Sequence, residues 1–305
     1  MSITILPQQQ LKKQSTSDII RKVPLIHYPS PSNIYKHRNQ RLKQLTKDSP
    51  FADYLQFCAH VVEKQNDILS SDPVCVDFSN RLNSTLPPLS LDNYPLTHKW
   101  QDYLLELISQ LPKPTPQISE VITALEHDTK SQRQEKALLL LKGKFNQVDS
   151  NQSLFIWSAL SLYYTQLASQ INGQPFCENS DKHWLCPICN SLPVASSIHI
   201  GSNVGLRYLH CSLCETEWYV PRVKCTSCDD LEHVHYFSLD EELTASQTEC
   251  CDSCHGYLKI FNQEHAANLD IMADDIATLI LDMKTEEEGF AKSGLNPFLF
   301  SHNDN

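Results

Sequence analysis

Apolar positions along the chain follow two different rhythms. From residue 48 to about residue 172 they recur at helical intervals. Asp48 or Ser49 can cap a helix with Pro50 in its first turn, where a missing N–H leaves no bond unmade. Tyr54, Phe57, Cys58, Val61 and Val62 then share one face. Residues 84–95, with three prolines, connect to a second helix, in which Trp100, Tyr103, Leu104, Leu107 and Ile108 follow the i, i+3, i+4, i+7, i+8 pattern. Pro112, Pro114 and Pro116 end it. Thr115 caps the next helix, with Ile118, Val121, Ile122 and Leu125 on its inner face, and residues 137–141 and 154–167 predict two more. These stripes are assigned to a core.

Between residues 186 and 261 the helical period disappears. Short alternating stretches at 194–200, 206–210, 218–220, 233–239 and 257–261 predict strands, with 201–205 as a hairpin loop. After residue 266 the helical period returns: Leu269, Met272, Ile276, Leu279, Ile280 and Met283 form a stripe, and Asp270, Asp274, Asp275 and Asp282 lie off it. The apolar tail from Leu295 to Phe300 is expected to dock. Residues 1–40, polar and carrying Pro7, Pro24, Pro29 and Pro31, suggest an irregular basic arm. The predicted class is α+β: the arm, a helical domain over 41–180, four-cysteine ribbons over 181–222 and 223–265, and a C-terminal helix and tail over 266–305 packing on the body.

Composition supports the helical emphasis, since only 7 glycines occur in 305 residues, about a third of ordinary usage. The net charge is −11, from 25 basic and 36 acidic residues, which disfavours a nucleic-acid partner that needs phosphates neutralised. Basic residues gather in the first fifty positions and acidic ones in the last forty. No run approaches the ~20 apolar residues that span a bilayer, and the N-terminus lacks the pattern of a secretion signal. A cytoplasmic protein is expected, with thiols kept reduced.

Twelve cysteines then change the picture. Eight form Cys-x-x-Cys pairs: Cys186/Cys189, Cys211/Cys214, Cys225/Cys228 and Cys251/Cys254. The gaps between pairs are 21, 10 and 22 residues. This long–short–long rhythm implies two units, each a pair, a hairpin and a second pair. Two intervening residues let the chain turn so that both sulfurs face one centre; the hairpin brings up the second turn and completes a tetrahedron, as in a zinc ribbon. The expected ligand sets are therefore Cys186, Cys189, Cys211, Cys214 and Cys225, Cys228, Cys251, Cys254. Four thiolates suit zinc or a single rubredoxin-like iron, and an iron–sulfur cluster less well because the tight ferredoxin spacing is absent. Arg207, Arg222 and Lys224 could offset the site charge. Cys58 is assigned to the core, and Cys75 and Cys177 have no partner spacing. Cys250 could compete for metal, and His210 is the histidine best placed to do so. Phosphate loops, His-Glu-x-x-His helices and nucleophile elbows are absent. A tetrahedron closed by four cysteines leaves no position for substrate, so a non-enzymatic role is expected.

Several stretches carry a resemblance. Residues 205–218, GLRYLHCSLCETEW, continuing to Arg222-Val-Lys-Cys225, are similar to the formate dehydrogenase accessory protein FdhE family, as are Cys186-Pro-Ile-Cys189, residues 155–163 and residues 296–300. The resemblance covers most of the chain and is weakest before residue 35. It implies a cytoplasmic maturation factor acting on the catalytic subunit of respiratory formate dehydrogenase before export. It also implies a helical N-terminal part and rubredoxin-like modules with iron bound by the eight paired cysteines. His255 and Cys250 flank the last pair, where the family pattern leads one to expect small or turn-forming residues. Two alternatives are a redox-active iron protein serving the partner's cofactor, and a nucleic-acid-binding zinc ribbon using Arg207, Arg222, Lys224, Tyr208 and Trp218.

Overall fold

The computed structural model describes residues 4–6, 23–47, 49–78, 85–113, 115–171, 183–239 and 245–300. Two short strands come first, β1 (Thr4–Leu6) and β2 (Ile26–His27). The helices α1 (Pro31–Leu45), α2 (Ala52–Ser71), α3 (Lys99–Gln110), α4 (Pro116–His127), α5 (Lys130–Leu141) and α6 (Ser150–Gln170) follow. Helix α6 is the axis of this body. Asp149 caps it, accepting from the N–H groups of Asn151 and Gln152 at 2.9 and 3.1 Å. Every residue from Ser153 to Ala168 is buried, as expected of a helix surrounded on all sides. Thr115 caps α4 as its position predicts, accepting from Ile118 N at 3.3 Å. The predicted inner face of α4 is only partly inward. Ile122 and Leu125 are buried, whereas Ile118 and Val121 line an open groove of about 610 Å³ with Tyr54, Phe57 and Phe155.

Helix α1 begins inside the 1–40 stretch expected to be irregular and runs on to Leu45. Pro31 occupies its first turn, Tyr35 and Leu42 are fully buried, and the inward position between them is Arg38, 2 % exposed. A charged residue in the middle of the inner face leaves no apolar stripe to read. Asp48 and Cys177 lie outside the described residues.

The sheet contains β3 (Pro193–Ile198), β4 (Arg207–Cys211), β5 (Glu217–Val220), β6 (Val234–Ser238), β7 (Ser246–Cys251) and β8 (Gly256–Asn262); after it come α7 (Ile271–Ala277), α8 (Leu279–Glu287) and β9 (Ala291–Lys292). The strand order is β1-β6-β7-β8-β3-β4-β5-β2, with β9 beside β8. The antiparallel sets β3–β4–β5 and β6–β7–β8 correspond to the two expected ribbons. They are fused where β3 runs parallel to β8, Ser196 opposite Ile260 and Ile198 opposite Asn262. Arg207 on β4 spans the seam: its guanidinium grips Glu249 of β7 in a fork at 2.7 and 2.9 Å and donates to Ser196 Oγ at 3.1 Å.

The C-terminal region differs from the single helix expected, forming α7 and α8. All four aspartates are buried. Asp270 and Asp274 receive Arg38 and Arg41 of α1. Asp275 and Asp282 receive Lys259 of β8 and Lys292 of β9. Lys259 Nζ donates to the carbonyls of Asp275 and Thr278 at 2.8 and 3.2 Å. Both carbonyls lie where α7 gives way to α8, and that of Thr278 also accepts from Leu281 N at 3.0 Å. Met283, placed on the apolar stripe by its spacing, is 56 % exposed. The tail docks as expected. Leu295 N donates to Pro193 O at 2.8 Å, Tyr54 Oη bonds Phe298 O, and Phe300 packs on Phe145 and Trp157. Gly294 permits this approach, since a Cβ there would lie 2.5 Å from Val194 O.

Candidate metal centre

Each Cys-x-x-Cys pair forms a tight knuckle. The N–H of the first cysteine bonds a carbonyl five residues on: Cys186 to Ser191, Cys211 to Thr216 and Cys225 to Asp230, each at 2.9 Å. The residue after the second cysteine is left-handed: Asn190 (φ 66°), Glu215 (60°), Asp229 (66°) and His255 (54°). Asn, Asp and His tolerate that conformation better than most side chains. His255 thus fills the turn-forming role expected beside the last pair. Glu215 is the unusual occupant, and its side chain explains it. It accepts a bidentate bond from Arg38 of α1 at 2.7 and 2.7 Å and pairs with His210 Nε2 at 2.7 Å.

The structure brings the eight predicted cysteines together in the two predicted sets, the sulfurs of each set lying within 4.8 Å of one another. In the first, Cys186 and Cys214 approach to 3.5 Å and Cys189 and Cys211 to 3.4 Å. In the second, Cys225–Cys254 is 3.7 Å and Cys228–Cys251 is 3.6 Å. A tetrahedral ion with metal–sulfur bonds of about 2.3 Å requires sulfur–sulfur edges of about 3.8 Å, so both sets fit a zinc- or iron-sized ion. Backbone N–H groups point at the sulfurs: Leu213 and Cys214 to Cys211 Sγ at 3.3 and 3.4 Å, and Ser227 to Cys225 Sγ at 3.4 Å. Such donors favour thiolate over thiol. Burial opposes charge on Cys189, yet hydrogen bonding from Cys186, Cys211 and Cys214 carries its thiol well below the ordinary value.

The two sets differ in setting. All four cysteines of the first are buried, none above 6 % exposure. Trp157 Nε1 of α6 donates to Ser212 O inside one knuckle at 2.9 Å, and Leu89 N donates to Ile188 O inside the other at 2.7 Å. A cavity of about 450 Å³ bounded by Trp157 and Tyr164 reaches Cys189. The second set stands away from the helical body. Cys225 and Cys251 are buried, whereas Cys228 and Cys254 are exposed.

The other candidates fall outside both sets. Cys250 faces the opposite side of β7, buried against Phe237 and Tyr257, and burial pushes its thiol up to about 12. His210 is held by Glu215 and Glu217. Burial alone would lower its pKa, but those carboxylates raise it to about 9. Cys58 is core, as predicted, and Cys75 is exposed. Arg207 is fully buried on Glu249, and Tyr208 and Trp218 are buried as well, so these three do not form the basic-aromatic surface patch considered from the sequence. Lys224 salt-bridges Asp229, next to Cys228, at 2.6 Å. The sequence alone did not reveal Arg38, Glu215 and Asp270, which tie the first set to α1 and α7. Their only local signal is an acid directly after a cysteine pair.

A helical body carrying two fused knuckle modules, each closing four thiolates around one centre, defines a metal-binding protein of the four-cysteine kind. Three family models match in succession: the FdhE N-terminal region over residues 23–180, the central domain over 185–222 and the C-terminal domain over 223–299. An FdhE homolog from Proteus mirabilis is 41 % identical over 303 residues, covering 98 % of this chain and 99 % of that one. The FdhE protein of Escherichia coli is 40 % identical over 307 residues, covering 98 % of each. The crystal structure of the FdhE protein from Pseudomonas aeruginosa superposes with a TM-score of 0.81 at 32 % identity, over 90 % of this chain and 99 % of that one. The chain belongs to the FdhE family.

Proposed function

We propose that this chain is a non-enzymatic accessory protein for formate dehydrogenase, acting in the cytoplasm on the catalytic subunit before that subunit is exported. Cys186, Cys189, Cys211 and Cys214 hold one metal ion, and Cys225, Cys228, Cys251 and Cys254 hold another. Family membership supports the accessory role. The observation that carries the non-catalytic part is the closure of both centres: four protein thiolates fill a tetrahedron and leave no position where a substrate could bind the ion. Among the described residues no helix is long and apolar enough to cross a membrane, consistent with action on a partner before its export. Deleting the gene in its host should leave formate dehydrogenase protein present but inactive, and the wild-type gene should restore activity where Cys211→Ser does not. Unchanged formate dehydrogenase activity in the deletion strain would overturn the proposal.

A second reading keeps the same partner and adds electron transfer through iron. The exposure of Cys228 and Cys254 favours it, because electrons pass most readily through ligands at the surface. Protein purified without air should then show a thiolate-to-iron charge-transfer band that bleaches on reduction. A colourless protein with two zinc ions per chain would leave a binding role alone.

A further inference from the structure

The two centres are alike in ligands and unlike in access. At the first, the residues between the cysteines are held by the helical body, Ser212 by Trp157 and Ile188 by Leu89. Glu215, directly after Cys214, is fixed by Arg38. One sulfur, Cys189, meets a cavity, and it is 6 % exposed; Cys211 and Cys214 have no exposure. At the second, Asp252, Ser253 and His255 are exposed around Cys254, and Asp229 beside Cys228. The bonds that brace these knuckles lie at the surface: Ser253 Oγ to Asp230 at 2.6 Å, Lys224 to Asp229 at 2.6 Å and His183 to Asp229 at 2.8 Å. The exposed sulfurs belong one to each knuckle, Cys228 and Cys254, while their partners Cys225 and Cys251 sit at 5 % and 1 % exposure. The second tetrahedron therefore turns one edge to solvent and keeps the opposite edge anchored in the sheet.

We propose that the two sites have divided roles: the first ion is a permanent structural tie, and the Cys228–Cys254 edge is an exchange face at which an incoming thiolate displaces a protein thiolate from the second ion. This rests on the reading that both sets hold metal. In the exchange, one metal–sulfur bond to Cys228 or Cys254 breaks as one to the incoming sulfur forms. The departing cysteine takes up the proton that the incoming thiol released, and no electrons change hands. Cys225 and Cys251 retain their grip throughout, so the ion can be presented to a soft donor without leaving the protein. At the first site the same step requires the Trp157 and Leu89 anchors to open. One hydrogen bond of about 1 kcal/mol net that must break slows such opening several-fold, and two slow it about tenfold or more.

The test uses the full-length protein loaded with zinc, free of air. Zinc per chain is measured first. A chain that holds fewer than two ions overturns the two-site reading itself. With two ions bound, release to the chromogenic chelator 4-(2-pyridylazo)resorcinol should be biphasic, one ion leaving at least about tenfold faster than the other. Added glutathione should accelerate the fast phase in proportion to its concentration and leave the slow phase unchanged. A short pulse of iodoacetamide with peptide mapping should label Cys228 and Cys254 before Cys186, Cys189, Cys211 or Cys214. Release at one rate, a fast phase indifferent to glutathione, or first labelling at Cys189 would each overturn the division of roles. Because these measurements need no variant, a misfolded mutant cannot mask the answer.

Discussion

Replacing Arg38 with Met tests the claim that buried charge, as well as buried apolar area, holds the first metal module to the helical body. Methionine keeps the helix propensity and most of the volume of α1. It removes the fork on Glu215 at 2.7 Å and the bonds from Nε to Asp270 at 3.0 and 3.2 Å. Glu215 is then a side chain with no exposure, and Asp270 one with 7 %. His210 still pairs with Glu215 and Ala273 N still donates to Asp270 at 2.9 Å, so neither carboxylate is stripped of every partner, but both lose their guanidinium. Breaking a buried ion pair from one side costs about 3–5 kcal/mol, because a desolvated charge is left behind. Against a total stability of about 5–15 kcal/mol that is a large share, and the melting temperature should fall by roughly 10 °C. Urea unfolding of the zinc-loaded protein, followed by circular dichroism, measures the difference. Lys43→Met is the control: its pair with Glu63 has both side chains 44 % exposed, and such pairs contribute at most ~1 kcal/mol. The triple change Arg38→Met, Glu215→Gln, Asp270→Asn should recover much of the loss by removing the stranded charges. Equal midpoints for Arg38→Met and Lys43→Met would refute the reasoning.

Other perturbations separate other contributions. Cys211→Ser should cut metal content from two ions to one, read by elemental analysis, whereas Cys250→Ala should keep both, since Cys250 lies on the far face of β7. Stability should fall as pH rises from about 6.5 to about 9. His210 is raised to about 9 when folded and is near 6.5 unfolded, so its contribution, up to about 3 kcal/mol, is complete below pH 6.5 and gone above 9; His210→Gln should flatten that slope in a pH series of urea midpoints. Gly294→Ala should destabilise by about 1–3 kcal/mol, because its Cβ would press on the backbone oxygen of Val194 and lift the tail, detectable as faster proteolysis near residue 294. His255→Gly should stabilise the second module by up to ~1 kcal/mol by relieving its left-handed backbone, visible as slower fast-phase zinc release.

What the sequence revealed depended on how local the cause was. The helix through Trp100 to Ile108, the Thr115 cap and the eight ligand cysteines were legible because each is specified within a few residues or by a repeated spacing. Helix α1 was hidden because its central inward residue is Arg38, whose partners lie 177 and 232 positions away. The burial of the aspartates of α7 and α8, which lie off the apolar stripe, was hidden for the same reason: Lys259, Lys292, Arg38 and Arg41 reach them only in three dimensions. Strand β7 reads Ser-Gln-Thr-Glu-Cys-Cys, with polar residues directed to both faces, so alternation gave no signal even though the strand is nearly all buried. The parallel pairing of β3 with β8 could not be inferred from two tandem cysteine units, each of which closes around its own centre.

The docked tail bears on how the molecule comes into being. A chain leaving the ribosome exposes helices α1 to α6 first, the first cysteine set next, the second set after it, and residues 291–300 later still. Residues 291–300 add β9 beside β8, bond Pro193 at the start of β3 and lay Phe298 and Phe300 against the helical body. This later-made segment therefore seals a contact between the helical body and the sheet. Each cysteine set is complete before that seal forms, so metal has a period during synthesis when it can reach the first centre without the mature packing around it. A centre that is closed in the finished protein need not be slow to fill in the nascent one.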